Sequence, residues 1–206
     1  MKQVLIVSKT HMNNQVCVGG IVMADGTPVR LLDNNGHNQP QNTPLEIGSI
    51  WDIDFTQRFK ITPPHVEDVI INKMKPGNPL PGNTRLSDIL QKQLHVPIWY
   101  GAPDKLFDGL LQWTRNGSGF INGSGICETS SGFWISDKAL VRDDFKGIRY
   151  KYGFGFFKAR KIKYVGFQEP ADKIPAGSLL RVSLARWWKQ DDDTEERCFL
   201  QLSGWY

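Results

Sequence analysis

The sequence predicts a mostly β protein made of two small closed β-barrels in tandem, joined by a short helical insert. Three observations carry this. Short apolar runs alternate with 12 Pro and 20 Gly scattered along the 206 residues, the texture of strands and turns rather than of a helical bundle. The phrase "LEIGSIWDIDF", which starts at Leu45, returns far along the chain as "IPAGSLLRVSL" from Ile174. Between the two copies, the segment after "PGNPLPGN" changes to helical spacing of its apolar residues. A hydrophobic content of 40% against 22% charged residues excludes a disordered chain and is enough for a packed core.

Taken in order, Val4 to Ser8 reads as a buried strand. "QVCVGGIVMADGTPVRLLD" reads as a hairpin, with strands near 16–23 and 28–32 around Asp25-Gly26. Gly19 and Gly20 inside the first of these mark a bulge or bend of the kind a tightly curled sheet needs. The Asn-rich stretch Asn34 to Pro44 is a loop. "SIWDIDF" is a strand, "KITPPH" breaks it, and "VEDVIINK" resumes as another. Three prolines and two glycines in Pro76 to Asn83 mark the internal boundary. "TRLSDILQKQL" and "APDKLFDGLLQW" then read as helices, the second behind an Asp104 cap. "GSGFINGSG" (Gly117 to Gly125) lacks the Lys-Ser/Thr of a phosphate-binding loop and reads as a flexible connection. Strands return with "GFWIS", "KARKIKYVGF", "GSLLRVSLARWW" and "RCFLQLSGWY".

The offset that lays Leu45 on Ile174 also lays Gly48, Ser49, Ile50, Ile53 and Phe55 on Gly177, Ser178, Leu179, Val182 and Leu184. Val69-Ile70-Ile71 falls on Cys198-Phe199-Leu200, and Val4-Leu5-Ile6 on Phe133-Trp134-Ile135. A duplicated five-strand unit explains this, and closure into a barrel removes the exposed edges of so small a sheet. The expected division is barrel 1 over 1–75, linker and helical insert over 76–130, and barrel 2 over 131–206.

The stretches "VLIVSKTHMNNQVCVGG", "GSIWDIDFTQRFKITPPHVEDV" and "LLRVSLARWW…ERCFLQLSGWY" resemble bacterial proteins with a dual OB-fold domain, over nearly the full chain. The resemblance implies two tandem OB-like barrels and a nucleic-acid-binding role, in defence or other conflict systems. It implies no established active site.

A net charge of +4 permits a polyanionic partner without requiring one. Cys17, Cys127 and Cys198 form no CxxC or CxxH pair, which points to reduced thiols in a cytoplasmic setting rather than a zinc site or a disulfide framework. The N-terminal apolar run is too short for a signal peptide or a membrane span.

The sharpest constellation is "KGIRYKYGFGFFKARKIKYVGF", Lys146 to Phe167. It holds Lys146, Arg149, Lys151, Lys158, Arg160, Lys161 and Lys163 and no acid. Tyr150, Tyr152, Phe154 and Phe156 alternate, so an extended strand puts them on one face. Rings for base stacking beside cations for phosphates are what single-stranded nucleic acid needs. The bland reading is a strand whose rings fill the core while its lysines line the rim. Arg181, Arg186 and Trp187 form a second basic-aromatic group, with Arg181, Ser183, Ala185 and Trp187 on one face opposite an apolar core face. That face is either ligand-binding or merely wet. "DDDTEE" (Asp191 to Glu196) reads as a solvated hairpin tip.

The expected function is therefore a non-enzymatic module for single-stranded DNA or RNA with weak sequence preference and no cofactor. The expected site is Arg149, Tyr150, Lys151, Tyr152, Phe154, Lys158, Arg160, Lys161, Lys163, Arg181, Arg186 and Trp187. Three alternatives stand beside it. Asp52, Asp54 and Glu67, near His65 and Asp68, are the carboxylates with which a Mg²⁺-dependent nuclease would begin. A PUA- or ASCH-like pocket would bind RNA or a modified nucleotide. An adaptor would meet a protein partner through Trp187, Trp188, Trp205 and Tyr206.

Overall fold

A computed structural model describes residues 1–82, 84–94, 96–153, 159–192 and 194–206. The chain divides into two compact units. One holds residues 1–62, 66–96 and Tyr206, and the other holds residues 63–65 and 97–205.

In the first unit the strands are β1 (Lys2–Met12), β2 (Gln15–Val22), β3 (Pro28–Leu32), the short β4 (Gln39–Pro40), β5 (Ile50–Gln57) and β6 (Asp68–Pro76). Their order is β1-β5-β6-β3-β2, and β1 also pairs with β2, so five strands close into a barrel with β4 attached to β2. Alternation selects the inside: Val4, Ile6, Val16, Val18, Val29, Leu31, Ile53 and Val69 are buried together. The expected irregularity beside Gly19 and Gly20 is present. The register of β1 shifts between Ile6 and Ser8, opposite those two glycines. A Cβ on Gly20 would sit 2.5 Å from Val4 Cγ1, so only glycine allows that approach. The Asp25-Gly26 turn forms as read, with the Thr27 N–H donating to the Asp25 carboxylate and Gly26 at φ 72°.

In the second unit the strands are β7 (Ile98–Gly101), β8 (Gln112–Trp113), β9 (Gly119–Asn122), β10 (Ser131–Ser136), β11 (Leu140–Asp143), β12 (Arg149–Tyr152), β13 (Arg160–Tyr164), β14 (Lys173–Ile174), β15 (Leu179–Leu184) and β16 (Arg197–Trp205). Their sheet runs β14-β11-β12-β13-β16-β15-β10-β7. With β10 and β11 taken as one interrupted first strand, the order of the first barrel returns. First pairs with second, second with third, third with fifth in parallel, fifth with fourth, and fourth with first. The register repeats as well. Arg30 lies beside Asp68 and Lys163 beside Gln201, and the two parallel pairs have the same separation in sequence. Trp51 pairs with Pro76 as Leu180 pairs with Trp205, and each antiparallel pair carries one register shift. The protein is mostly β, with two OB-type units in tandem.

The insert keeps the first expected helix and departs from the second. Leu86–Asp88 is α-helical and runs into a π-helical turn Ile89–Gln93 that buries Ile89 and Leu90. The stretch Pro103–Gly109 is a 3₁₀ segment broken at Leu106, Phe107 and Asp108, because the core of the second unit takes both Leu106 and Phe107 completely. Asp104 caps nothing; it holds Arg160 at 2.8 Å. The stretch read as a flexible connection contains β9, which is buried and pairs with β8 and with Arg197 to Phe199 of β16. Much of the segment expected as a bridge thus belongs to the second sheet. Among the described residues, no helix is long and apolar enough to cross a membrane.

Candidate functional site

The register of β12 on β13 decides which side chains share a face. Arg149 lies opposite Lys163 and Lys151 opposite Lys161, while Tyr150 lies opposite Ile162 and Tyr152 opposite Arg160. Sheet closure turns the second set inward. Tyr150 is 0% exposed, packs edge-on against Tyr164 and Trp205, and donates its hydroxyl to the Ala171 carbonyl at 2.8 Å. Burial raises its pKa, and burial pushes that of Tyr164 up to about 12. Tyr152 packs near Trp134, and its hydroxyl donates to Asp137 at 2.7 Å; burial first, then that carboxylate, keep the phenol protonated.

The outward face of this ribbon then carries four cations: Arg149, Lys151, Lys161 and Lys163. Like charges set directly opposite repel. Asp143 on β11 relieves part of this, with one carboxylate oxygen 3.0 Å from Lys151 Nζ and 3.4 Å from Lys161 Nζ. Burial opposes ionisation of Asp143, but the bond from Lys151, the Phe145 N–H and Lys161 outweigh it and hold the carboxyl below its ordinary range. Among the described residues, Arg115, Lys146, Arg149 and Lys163 make no ion pair.

Two clefts open over this ribbon. The larger, of ≈ 820 Å³, is lined by Thr114, Arg115, Lys146 and Phe145 at one side and by Gln190 and Phe199 at another. The second, of ≈ 560 Å³, is lined by Lys163, Arg186, Trp187, Trp188 and Gln201. Ser118, Arg149, Lys161 and Phe199 line both, so the clefts meet at those four residues. Among the described residues, six cations line the pair and no carboxylate does. Flat rings are also at hand: Phe145 is 68% exposed, Trp188 is 54% exposed, and Trp188 leans on Phe199 with ring centroids 6.0 Å apart.

The family model of the dual OB-containing domain matches residues 2–205. The chain belongs to the dual OB-containing domain family. No curated protein matches it. Among solved structures it is similar to the crystal structure of the p204 HINb domain, at 15% identity over 98% of this chain and 95% of that one, with a TM-score of 0.32. OB folds as a class bind oligonucleotides and oligosaccharides on the face of strands 2 and 3, between the 1–2 and 4–5 loops. In the second OB unit these parts are β12 and β13, the β11–β12 loop with Phe145 and Lys146, and the β15–β16 loop with Arg186, Trp187 and Trp188. The clefts lie on those parts, and the dual OB fold is consistent with nucleic-acid binding.

The first OB unit lacks such a face. Its β2 and β3 present Cys17, Gly19, Ile21 and Leu32 on the side away from the barrel core, of which Gly19, Ile21 and Leu32 are buried. Arg30 on the same side is tied to Asp68 by two bonds, at 2.6 and 3.0 Å.

Of the expected site residues, Arg149, Lys161, Lys163, Arg186 and Trp187 line the clefts. Lys151 shares their face through Asp143. Tyr150 and Tyr152 do not, because the alternation that makes them neighbours also points them at the core. Arg160 lies over the Trp113 ring at 4.3 Å and pairs with Asp104. Arg181 is neither ligand-facing nor wet: it is 3% exposed, bonds Ser131 at 2.8 Å and lies over the Phe133 ring. Phe154, Phe156 and Lys158 lie outside the described residues.

The carboxylates of the nuclease reading are not brought together. Asp52 lies opposite Lys75 and Asp54 opposite Lys73, so each aspartate has a cross-strand lysine, and Glu67 precedes the far end of β6. Asp68 is held by Arg30 and Arg58. His65 is buried in the other unit, its Nε2 3.7 Å from Cys198 Sγ. The described residues contain no group of three or more metal-ligating side chains.

The four aromatics of the adaptor reading do not form a patch either. Trp205 packs against the core, Trp187 donates its ring N–H to the Pro63 carbonyl at 2.7 Å, Tyr206 donates its hydroxyl to the Val7 carbonyl, and Trp188 alone of the four is exposed.

Sequence reasoning passed over Phe145, Phe199, Arg115 and Ser118 as site residues. The four come from three separate segments, 114–118, 144–148 and β16, that only the fold assembles, so no local pattern marks them.

Proposed function

We propose that this chain is a non-enzymatic nucleic-acid-binding module, and that single-stranded DNA or RNA lies along the clefts of the second OB unit. The observation that carries the reading is the lining itself: among the described residues, six cations, exposed rings and no carboxylate, on the face that OB folds use. Cations meet phosphates, rings stack on bases, and neither contact depends strongly on base identity, so sequence preference is weak. The first unit contributes stability rather than contacts, since its equivalent face is largely buried and its Arg30 is already tied to Asp68. The test is a titration of the full chain with single-stranded DNA, single-stranded RNA and duplex of equal length. The single strands bind and Lys163→Glu with Arg186→Glu weakens them more than tenfold. Unchanged affinity in the charge-reversed variant, or preference for duplex, refutes this placement.

A further inference from the structure

The junction of the two clefts holds a polar group that the protein does not satisfy. Among the described residues, Arg149 Nε is buried with no hydrogen-bond partner, and the guanidinium reaches only Ser118 Oγ, at a long 3.4 Å. A buried donor left unmade is costly, and native structures rarely tolerate one without a reason. Among the described residues no neighbouring group supplies the acceptor. Asp143, which lies opposite Arg149 in the register of β11 on β12, sets Oδ2 at 3.0 and 3.4 Å from Lys151 and Lys161, accepts the Phe145 N–H on Oδ1, and makes no ion pair with Arg149. Opposite Arg149 on the other side stands Lys163, a second cation.

The position of this donor is as informative as its lack of a partner. Arg149, Ser118, Lys161 and Phe199 belong to both clefts, and each cleft falls in the range of about 300–1,000 Å³ that small organic ligands occupy. On the reading that nucleic acid binds here, we infer that the Arg149 fork receives the phosphodiester that links two successive nucleotides, one lodged in each cleft. Arginine offers Nε and a terminal nitrogen as parallel donors to two phosphate oxygens, with Lys161 and Lys163 adding charge. Phe145 stands in the larger cleft and Trp188 in the smaller, so each has a ring for its base. The smallest ligand that fits is a dinucleotide. A mononucleotide fills one cleft and lacks the bridging diester.

The test uses the full chain, ¹⁵N-labelled, with four probes: a thymidine dinucleotide, the same dinucleotide with a neutral methylphosphonate link, thymidine monophosphate, and inorganic phosphate. The expected result is that the Arg149 Nε–H resonance moves with the dinucleotide and stays with its neutral analogue. The analogue binds about tenfold or more weakly, as loss of a charge-assisted bidentate contact predicts. In Arg149→Gln the two dinucleotides bind alike, and Arg149→Lys, which keeps the charge without the fork, restores less than half of the discrimination in free energy. Equal binding of the two dinucleotides to the native chain overturns the inference, as does inorganic phosphate or the mononucleotide matching the dinucleotide. Should longer single strands bind while the dinucleotide pair is not distinguished, the diester subsite fails and the wider reading stands. Should no single strand bind, both fail. A thermal melt confirms that the Arg149 variants are folded.

Discussion

Raising salt weakens binding by an amount that the clefts themselves set. Arg115, Lys146, Arg149, Lys161, Lys163 and Arg186 line them. Lys161 already shares Asp143 and Arg186 has a partner within the chain, so four to six phosphate contacts are available. Each contact with a single strand contributes about −0.7 to the slope of log K against log salt, which predicts a slope of about −3 to −4. Between about 50 and 200 mM salt, affinity for a single strand then falls by roughly fifty- to three hundredfold. Fluorescence anisotropy with a labelled oligonucleotide, repeated at four salt concentrations, measures it. Arg149→Gln and Lys163→Gln each make the slope shallower by about 0.7, while Lys75→Gln in the first unit leaves it unchanged. A slope near zero, or one unaltered by both cleft substitutions, refutes the assignment of these side chains to phosphates.

Other perturbations separate core from interface. Tyr150→Ala costs about 3–5 kcal/mol in urea unfolding, as loss of a buried aromatic does, whereas Trp188→Ala changes stability little and weakens single-strand binding by about 1–3 kcal/mol. Asp143 has a lowered pKa, so its ion pairs stabilise the fold above the unfolded carboxylate value and the contribution is lost as pH falls through about 4 and below. The stability gap between the native chain and Asp143→Asn, followed by denaturant titration, therefore closes on acidification; a gap constant with pH denies the ion pair its role. Burial pushes the Cys198 thiol up to about 12, and Cys127 is buried as well. At neutral pH a thiol reagent therefore labels Cys17 in the folded protein and the other two only after denaturation.

Strand positions were legible where one face is apolar and the other polar. β5 with β6 and β15 with β16 follow from alternation alone, and the repeat read in the sequence carries over into register. The Tyr150 face was legible only as a pair of faces. Period-two alternation says that the rings oppose the lysines, but which set lies inside depends on closure by β16, distant in sequence. Arg181 shows the same limit, since an arginine in a strand reads as exposed until Ser131 and Phe133 are placed around it. The helix expected over Ala102 to Trp113 failed because burial of Leu106 and Phe107 outweighs a propensity worth only tenths of a kcal/mol per residue. The cleft rings Phe145 and Phe199 had no signature at all, being isolated aromatics on separate elements.

The two barrels differ in the connection between their first and second strands. The first joins them through Asn13 and Asn14 alone, while the second uses residues 144–148 for the same turn. The step from Arg30 to Asp68, by contrast, is matched by the step from Lys163 to Gln201. Duplication has thus left one copy free to lengthen that turn without disturbing the pairing that closes the wall, and variation among related chains should collect there while the spacing from third to fifth strand stays fixed.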